Sequence, residues 1–260
     1  ESKFLIALDR SGPIDYGEMV EAALPQLNEG GHLRQIVMMG EQLEESVSWE
    51  TMLEQGSQVS DEQLHNRSVQ VNVEDRMMLA YTSGTTGHPK GVIHCHKPVR
   101  NTYERAMLLG HNRNDVHLSY LPLFHAYGFS EVAMMVALTG GSQVLFDVFE
   151  PAQVLDAVEE EGGTVLHGFD SHWADLIREQ QQRERDVTSL RVGTLPAGME
   201  STVPIARQVQ DVFCPTTSGF GMSETWAFIA SSHVTNTLEQ RTEASGYPMY
   251  GIEFEVRDLD

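Results

Sequence analysis

Three glycines, four serine or threonine hydroxyls and one lysine fall within YTSGTTGHPKGV at 81–92. Gly84, Gly87 and Gly91 permit positive backbone dihedrals and close approach to a ligand, so that backbone N–H groups can converge on an anion. Thr82, Ser83, Thr85 and Thr86 add hydroxyl donors, and Lys90 adds a positive charge. That set is suited to phosphate. It is not the common nucleotide loop, which needs Gly-Lys-Ser/Thr in direct succession, because His88 and Pro89 separate Gly87 from Lys90. An empty surface turn is the other reading of the glycines; the hydroxyls and lysine behind an apolar strand weigh against it.

Other residues invite chemistry of their own. GFGMSE at 219–224 ends in Glu224, and a lone Glu before a helix is ordinarily a solvated N-terminal residue. Ala197, Gly198 and Met199 follow a strand pattern, where Ala-Gly can simply turn the chain. His94 and His96 alternate with Cys95, which puts the two imidazoles on one strand face and the thiol on the other, so a three-ligand metal site there is not expected. His167, Asp170 and His172 resemble parts of a triad, yet the chain has no Gly-x-Ser-x-Gly elbow to supply a nucleophile.

The elements that position these residues alternate. FLIAL at 4–8 and QIVMM at 35–39 have strand length, and Met19, Val20, Ala23, Leu24 and Leu27 make a helical stripe between them, stopped by Gly30 and Gly31. Residues 41–74 are polar and weakly periodic, a surface connection with one short helix near 49–53. MMLAY at 77–81 reads as a buried strand leading into the glycine-rich stretch. Helices are expected at 99–109 and 131–139, around Val154 to Val158, and around Trp173 to Ile177. A last helix is expected after a Ser201 cap, with Pro204 in its first turn. Strand patterns intervene at 116–121, 143–146, 164–168 and 190–195. The expected fold is α/β, a mostly parallel sheet flanked by helices, with the strand ends free for a ligand.

Bulk properties restrict the partners. A formal charge of −21 opposes nucleic acid and anionic membrane surfaces. The longest apolar runs, such as 132–138, fall far short of the roughly 20 residues that span a bilayer. Two distant cysteines, Cys95 and Cys214, suggest a reducing compartment, and a cytoplasmic location is expected.

Taken together, YTSGTTGHPKGV, PLFHAYG (122–128), LPAGME (195–200), GFGMSE (219–224) and GYPMYGIEFEVRD (246–258) resemble, in order, the motifs of the adenylate-forming superfamily. That superfamily comprises acyl-CoA synthetases, luciferases and peptide-synthetase adenylation domains. The resemblance runs from about residue 75 to the end, and 1–74 agrees only loosely. It implies that 1–260 is part of the large AMP-binding domain, with the lysine-bearing C-terminal domain lying outside this chain.

The resemblance also implies roles. Thr82, Ser83, Gly84, Thr85, Thr86, Gly87 and Lys90 would close over the β- and γ-phosphates of ATP, and Glu224 would hold Mg²⁺. Ser223 would face the α-phosphate; Gly219, Phe220, Gly221 and Ala197 to Met199 would border adenine; His125 would lie near the acyl carboxylate. Phe169 and Trp173 would wall the acyl pocket. The implied reaction joins a carboxylic acid to AMP and then to CoA, with ATP, Mg²⁺ and CoA as cofactors and small molecules as partners; a homo-oligomer is compatible with it. The chain alone is expected to be nearly inactive in adenylation. Two other readings are an amino-acid-activating adenylation domain, in which an aspartate would typically stand at His125, and a non-catalytic ATP-binding module.

Overall fold

The computed structural model describes residues 2–82, 88–255 and 257, leaving aside the side chain of Asn28. The chain divides into two compact units between Asn72 and Val73.

In the first unit, β1 (Phe4–Leu8) is followed by a small hairpin, β2 (Arg10–Ser11) with β3 (Ile14–Asp15), whose turn places Gly12 at φ +54°. Helix α1 (Tyr16–Glu29) carries the chain to β4 (Gln35–Met39), which pairs parallel with β1. Val20 of the helix packs with Ile36 and Met38, and Leu24 packs against them, whereas Met19 and Leu27 of the stripe read in the sequence are exposed.

Residues 41–74 hold more structure than their polarity suggests. Strand β5 (Ser46–Ser48) pairs parallel with β4, and two helices follow, α2 (Trp49–Gly56) and α3 (Asp61–Ser68). The second helix was not expected because neither helix buries a residue, which leaves no apolar period to detect. Caps define both instead. Ser48 Oγ accepts from Thr51 N, and a reciprocal box joins Ser60 to Gln63.

The second unit opens with an antiparallel hairpin, β6 (Arg76–Thr82) and β7 (Lys90–Cys95). This corrects the expectation of a buried strand: Leu79 and Tyr81 are exposed, and among the described residues β6 pairs with β7 alone. Helix α4 (Pro98–Leu108) leads to β8 (Val116–Ser119). A π-helical segment, Tyr127–Met134, runs directly into α5 (Met135–Thr139), which Gly140 ends at φ +77°. The helix expected at 131–139 thus begins four residues earlier and is wider over its first two turns.

The remaining elements are β9 (Ser142–Leu145), α6 (Pro151–Glu161), β10 (Val165–His167), α7 (Asp170–Gln182), β11 (Val192–Thr194), α8 (Val203–Val212) and β12 (Thr216–Thr217). Ser201 does not cap α8. Thr202 holds that position with helical backbone angles and turns its hydroxyl back to Met199 O.

Strands β8 to β12 form one parallel sheet in the order β12-β11-β10-β8-β9. Val154, Leu155 and Val158 of α6 and Trp173 and Leu176 of α7 pack with Leu118 and Leu166 in its core. Beyond it, β13 (Gly219–Met222), β14 (Ala227–Ser231) and β15 (Tyr247–Pro248) make a small antiparallel sheet, with α9 (Leu238–Thr242) between the last two. Residues 252–255 carry no regular structure.

Candidate active site

A cleft of about 680 Å³ opens in the second unit. Four of the segments that line it follow the C-terminal ends of parallel strands: His125 to Tyr127 after β8, Phe169 after β10, Pro196 to Met199 after β11, and Gly219 to Glu224 after β12. Ligands of open α/β sheets bind at that end, because the loops there diverge while the strands stay fixed. Thr82, Ala227, Phe228 and Ser245 complete the lining.

Thr82 is the last residue of β6 and pairs in register with Lys90, the first of β7. The hairpin therefore holds Thr82 and Lys90 as neighbours across its two strands, at the end nearest the connecting residues. Lys90 is exposed and is not among the residues lining the cleft. Ser83, Gly84, Thr85, Thr86 and Gly87 lie outside the described residues.

The turn bearing Glu224 is held from several sides. Gly221 has no room for a side chain, since a Cβ there would sit 1.7 Å from Ala227 O, and the pairing of β13 with β14 is irregular at this point. Thr225 Oγ1 accepts from Met222 N at 2.9 Å. Trp226 and Ala227 then take φ of +60° and +64°, a strained conformation for residues other than glycine. Burial of the indole compensates. Trp226 lies edge-on to His94 and Phe129, and its Nε1 donates to Thr102 Oγ1 at 3.0 Å.

Thr102 belongs to a buried polar network. Arg105 donates to Glu131 Oε2 (2.9 Å), Ser130 Oγ (2.9 Å), Thr102 Oγ1 (3.2 Å) and Phe228 O (2.8 Å). This ties α4, the π-helical segment and β14 together directly behind the cleft. His94 Nε2 reaches Ser223 O from β7.

On the opposite wall, Gly198 takes φ +110° and Ala197 N donates to Ser218 Oγ at 2.9 Å, so the 197–199 loop is fixed against the neighbouring strand end. His125 Nδ1 accepts from Tyr127 N at 3.1 Å, which leaves the ring proton on Nε2. Tyr127 Oη bonds Thr194 Oγ1, and burial holds its phenol above its ordinary range, so it stays neutral. Gly128 is required by packing: a Cβ would lie 2.4 Å from Pro122 O.

Thr82, His125, Ala197, Gly198, Met199, Gly219, Phe220, Gly221, Ser223 and Glu224 thus come together around one cavity. Phe169 joins them. Trp173 does not: it is fully buried beneath the sheet, its Nε1 donating to Thr194 O at 3.2 Å, because it lies on the core face of α7. Tyr127, Phe228 and Ser245 were missed, and for Ser245 no local pattern points to the cleft. His94 and Trp226 were missed as supports; the tryptophan two residues after Glu224 was the one available signal.

A parallel α/β unit with a cleft of this kind at its strand ends is a ligand-binding domain. The chain belongs to the AMP-binding enzyme family, whose model matches residues 1–260. It is similar to acyl-CoA ligase sidI of Aspergillus fumigatus, 25% identical over 99% of this chain and 45% of that protein. It is also similar to the medium-chain fatty-acid–CoA ligase of Escherichia coli, 27% identical over 92% of this chain and 41% of that protein. Among solved structures, the anthranilate CoA ligase AuaEII in complex with anthranoyl-AMP superposes with a TM-score of 0.79 at 22% identity, over 99% of this chain and 48% of that one. The chain spans about half the length of the curated relatives it matches.

Proposed function

We propose that this chain carries the nucleotide- and acid-binding half of an acid–thiol ligase. The ligase converts a carboxylic acid and MgATP to an acyl-adenylate and pyrophosphate, then transfers the acyl group to CoA. The observation that carries this reading is that Thr82 and Glu224, 142 positions apart, line a single cleft with Ala197 to Met199 and Phe220. One nucleotide can reach all of them. The CoA-ligase names of the relatives and the acyl-adenylate held by the anthranilate ligase support the same chemistry.

The physical task is neutralisation of charge, since a triphosphate and a carboxylate repel one another. Lys90 and the hydroxyls of the 82–86 stretch would take the β- and γ-phosphates. Glu224 is exposed into the cleft on a clamped turn and offers the hard oxygen that Mg²⁺ prefers, so the donor fits that ion. When bound, Mg²⁺ would shield the phosphate oxygens. Ser223 would face the α-phosphate, and Phe220 with the 197–199 loop would border adenine.

His125, with its proton on Nε2, and the apolar surfaces of Phe169 and Phe228 would receive the acid. Among the described lining residues Glu224 is the sole carboxylate. With that group assigned to the metal, nothing remains to pair with a substrate ammonium, which favours acids lacking an α-amine over amino acids.

Carboxylate-dependent ATP–pyrophosphate exchange by the full-length parent tests the reading across fatty, aryl and amino acids. Exchange with simple acids is expected, falling by roughly two orders of magnitude in Glu224→Gln and Lys90→Ala. ATP binding with no exchange for any acid would leave a binding module and overturn the proposal. Preference for an amino acid would overturn the substrate class alone.

A further inference from the structure

Three imidazoles meet inside the second unit, none of them among the residues that line the cleft. His117 on β8 and His167 on β10 occupy neighbouring parallel strands, and Val165, two residues before His167, is the register partner of His117. Side chains two apart share a sheet face, so both rings emerge on the same side. His111, between α4 and β8, closes the triangle. Ring centres lie 4.8 Å apart for His111 and His117, 5.9 Å for His111 and His167, and 6.0 Å for His117 and His167. All three are buried, at 3%, 0% and 1% exposure.

Their nitrogens are short of partners. His111 Nε2, both nitrogens of His117, and His167 Nε2 are buried with no hydrogen bond. Four such atoms in one place are unusual, since buried polar atoms are almost always paired. Of the two nitrogens that do have neighbours, that of His167 meets an oxygen within hydrogen-bond distance, whereas that of His111 faces a guanidinium with the Asp115 carboxylate just beyond. His167 Nδ1 is 2.8 Å from Thr194 Oγ1, and His111 Nδ1 is 3.7 Å from Asp115 Oδ2 and 3.2 Å from Arg191 Nη2. Metal-bound imidazoles characteristically direct their second nitrogen to a carboxylate or another oxygen in this way.

We propose that His111, His117 and His167 bind one divalent first-row transition ion, zinc by preference, as a buried three-histidine site with a water in the fourth position and Asp115 behind His111. Zn–N bonds of about 2.0–2.1 Å put three imidazole centres on one ion roughly 5 Å apart. One of the three observed separations has that value, and the other two require His167 to move in by about 1 Å. An ion in this position would take one lone pair from each ring, with the His111 proton moved to Nδ1 toward Asp115 and the Arg191 contact given up, and would satisfy three of the four unpartnered nitrogens.

Arg191 does not fill the site. Its guanidinium is bound by Asp115, Leu109 O and Gly110 O, and the Asp115 carboxylate offsets its charge. His111, Asp115 and His117 each bring a ligand atom within 4.8 Å of the others. None of these residues lines the cleft, so the proposal stands apart from the ligase reading.

Because the site is buried, the ion would enter during folding, and the experiment is a refolding one. The full chain is unfolded with chelator, desalted, and refolded separately with Zn²⁺, with Co²⁺ and in chelator. One ion per chain is expected to survive gel filtration. The Co²⁺ form should show visible bands of a tetrahedral site, and the Zn²⁺ form should melt about 5 °C or more above the chelator form. His117→Leu should retain the fold by circular dichroism and lose the ion. If that variant does not fold, the Co²⁺ spectrum of the unaltered chain decides. Refolded chain without bound ion, identical melting temperatures, or full ion content in His117→Leu would each overturn the proposal and leave a hydrated pocket.

Discussion

His94 Nε2 lies 2.7 Å from the carbonyl oxygen of Ser223, joining the strand that follows the glycine-rich stretch to the turn that carries Glu224. A carbonyl only accepts, so Nε2 carries the proton. The bond and the edge-on contact of the same ring with Trp226 fix the distance between the two halves of the candidate phosphate site.

Replacing His94 by leucine should therefore weaken MgATP binding about tenfold, the equivalent of one hydrogen bond of roughly 1–1.5 kcal/mol. His94→Gln, which keeps a donor, should recover part of the loss. Isothermal titration of the full-length parent measures both. Equal affinities in all three forms would show that the hairpin and the Glu224 turn act independently.

The Arg105–Glu131 pair is almost wholly buried, at 2% and 0% side-chain exposure. Arg105→Met would strand the Glu131 carboxylate and should cost about 3–5 kcal/mol in urea unfolding. Arg105→Met with Glu131→Leu should be far milder than the single change, because no uncompensated charge remains. Additive losses would mean that the network acts through packing and not through charge.

Burial pushes the Cys214 thiol up to about 12, whereas Cys95 is only half-buried. Since the thiolate is the reactive form, Cys214 should stay unmodified by a thiol reagent at pH 8 in the folded chain. One cysteine per chain should react in native buffer and two in denaturant, with Cys95 identified by peptide mass mapping. Rapid native labelling of Cys214 would contradict its burial.

The regular elements were legible where an apolar period met a boundary signal. FLIAL and QIVMM became strands β1 and β4 with matching limits, and the stripe from Met19 to Leu27 lies within α1. Reading failed where stability came from elsewhere. Helix α3 rests on a capping box with no buried face, and the exposed strand β6 carries an apolar sequence that suggested burial. The resemblance placed Trp173 in the acyl wall, but helical geometry turns it into the core while Phe169, just ahead of the helix, reaches the cleft.

Alone, the sequence determined which short stretches could do chemistry, because glycine spacing, hydroxyls and a lone carboxylate are local properties of the chain. It also determined the α/β class through the alternation of periods. Only the tertiary structure decided that Thr82, Ala197 and Glu224 share one cavity, that His94 and Trp226 hold the turn between them, and that three histidines with no shared motif converge. Each of those facts joins residues far apart in the chain, and such proximity is fixed by strand order and packing, on which residue spacing carries no information.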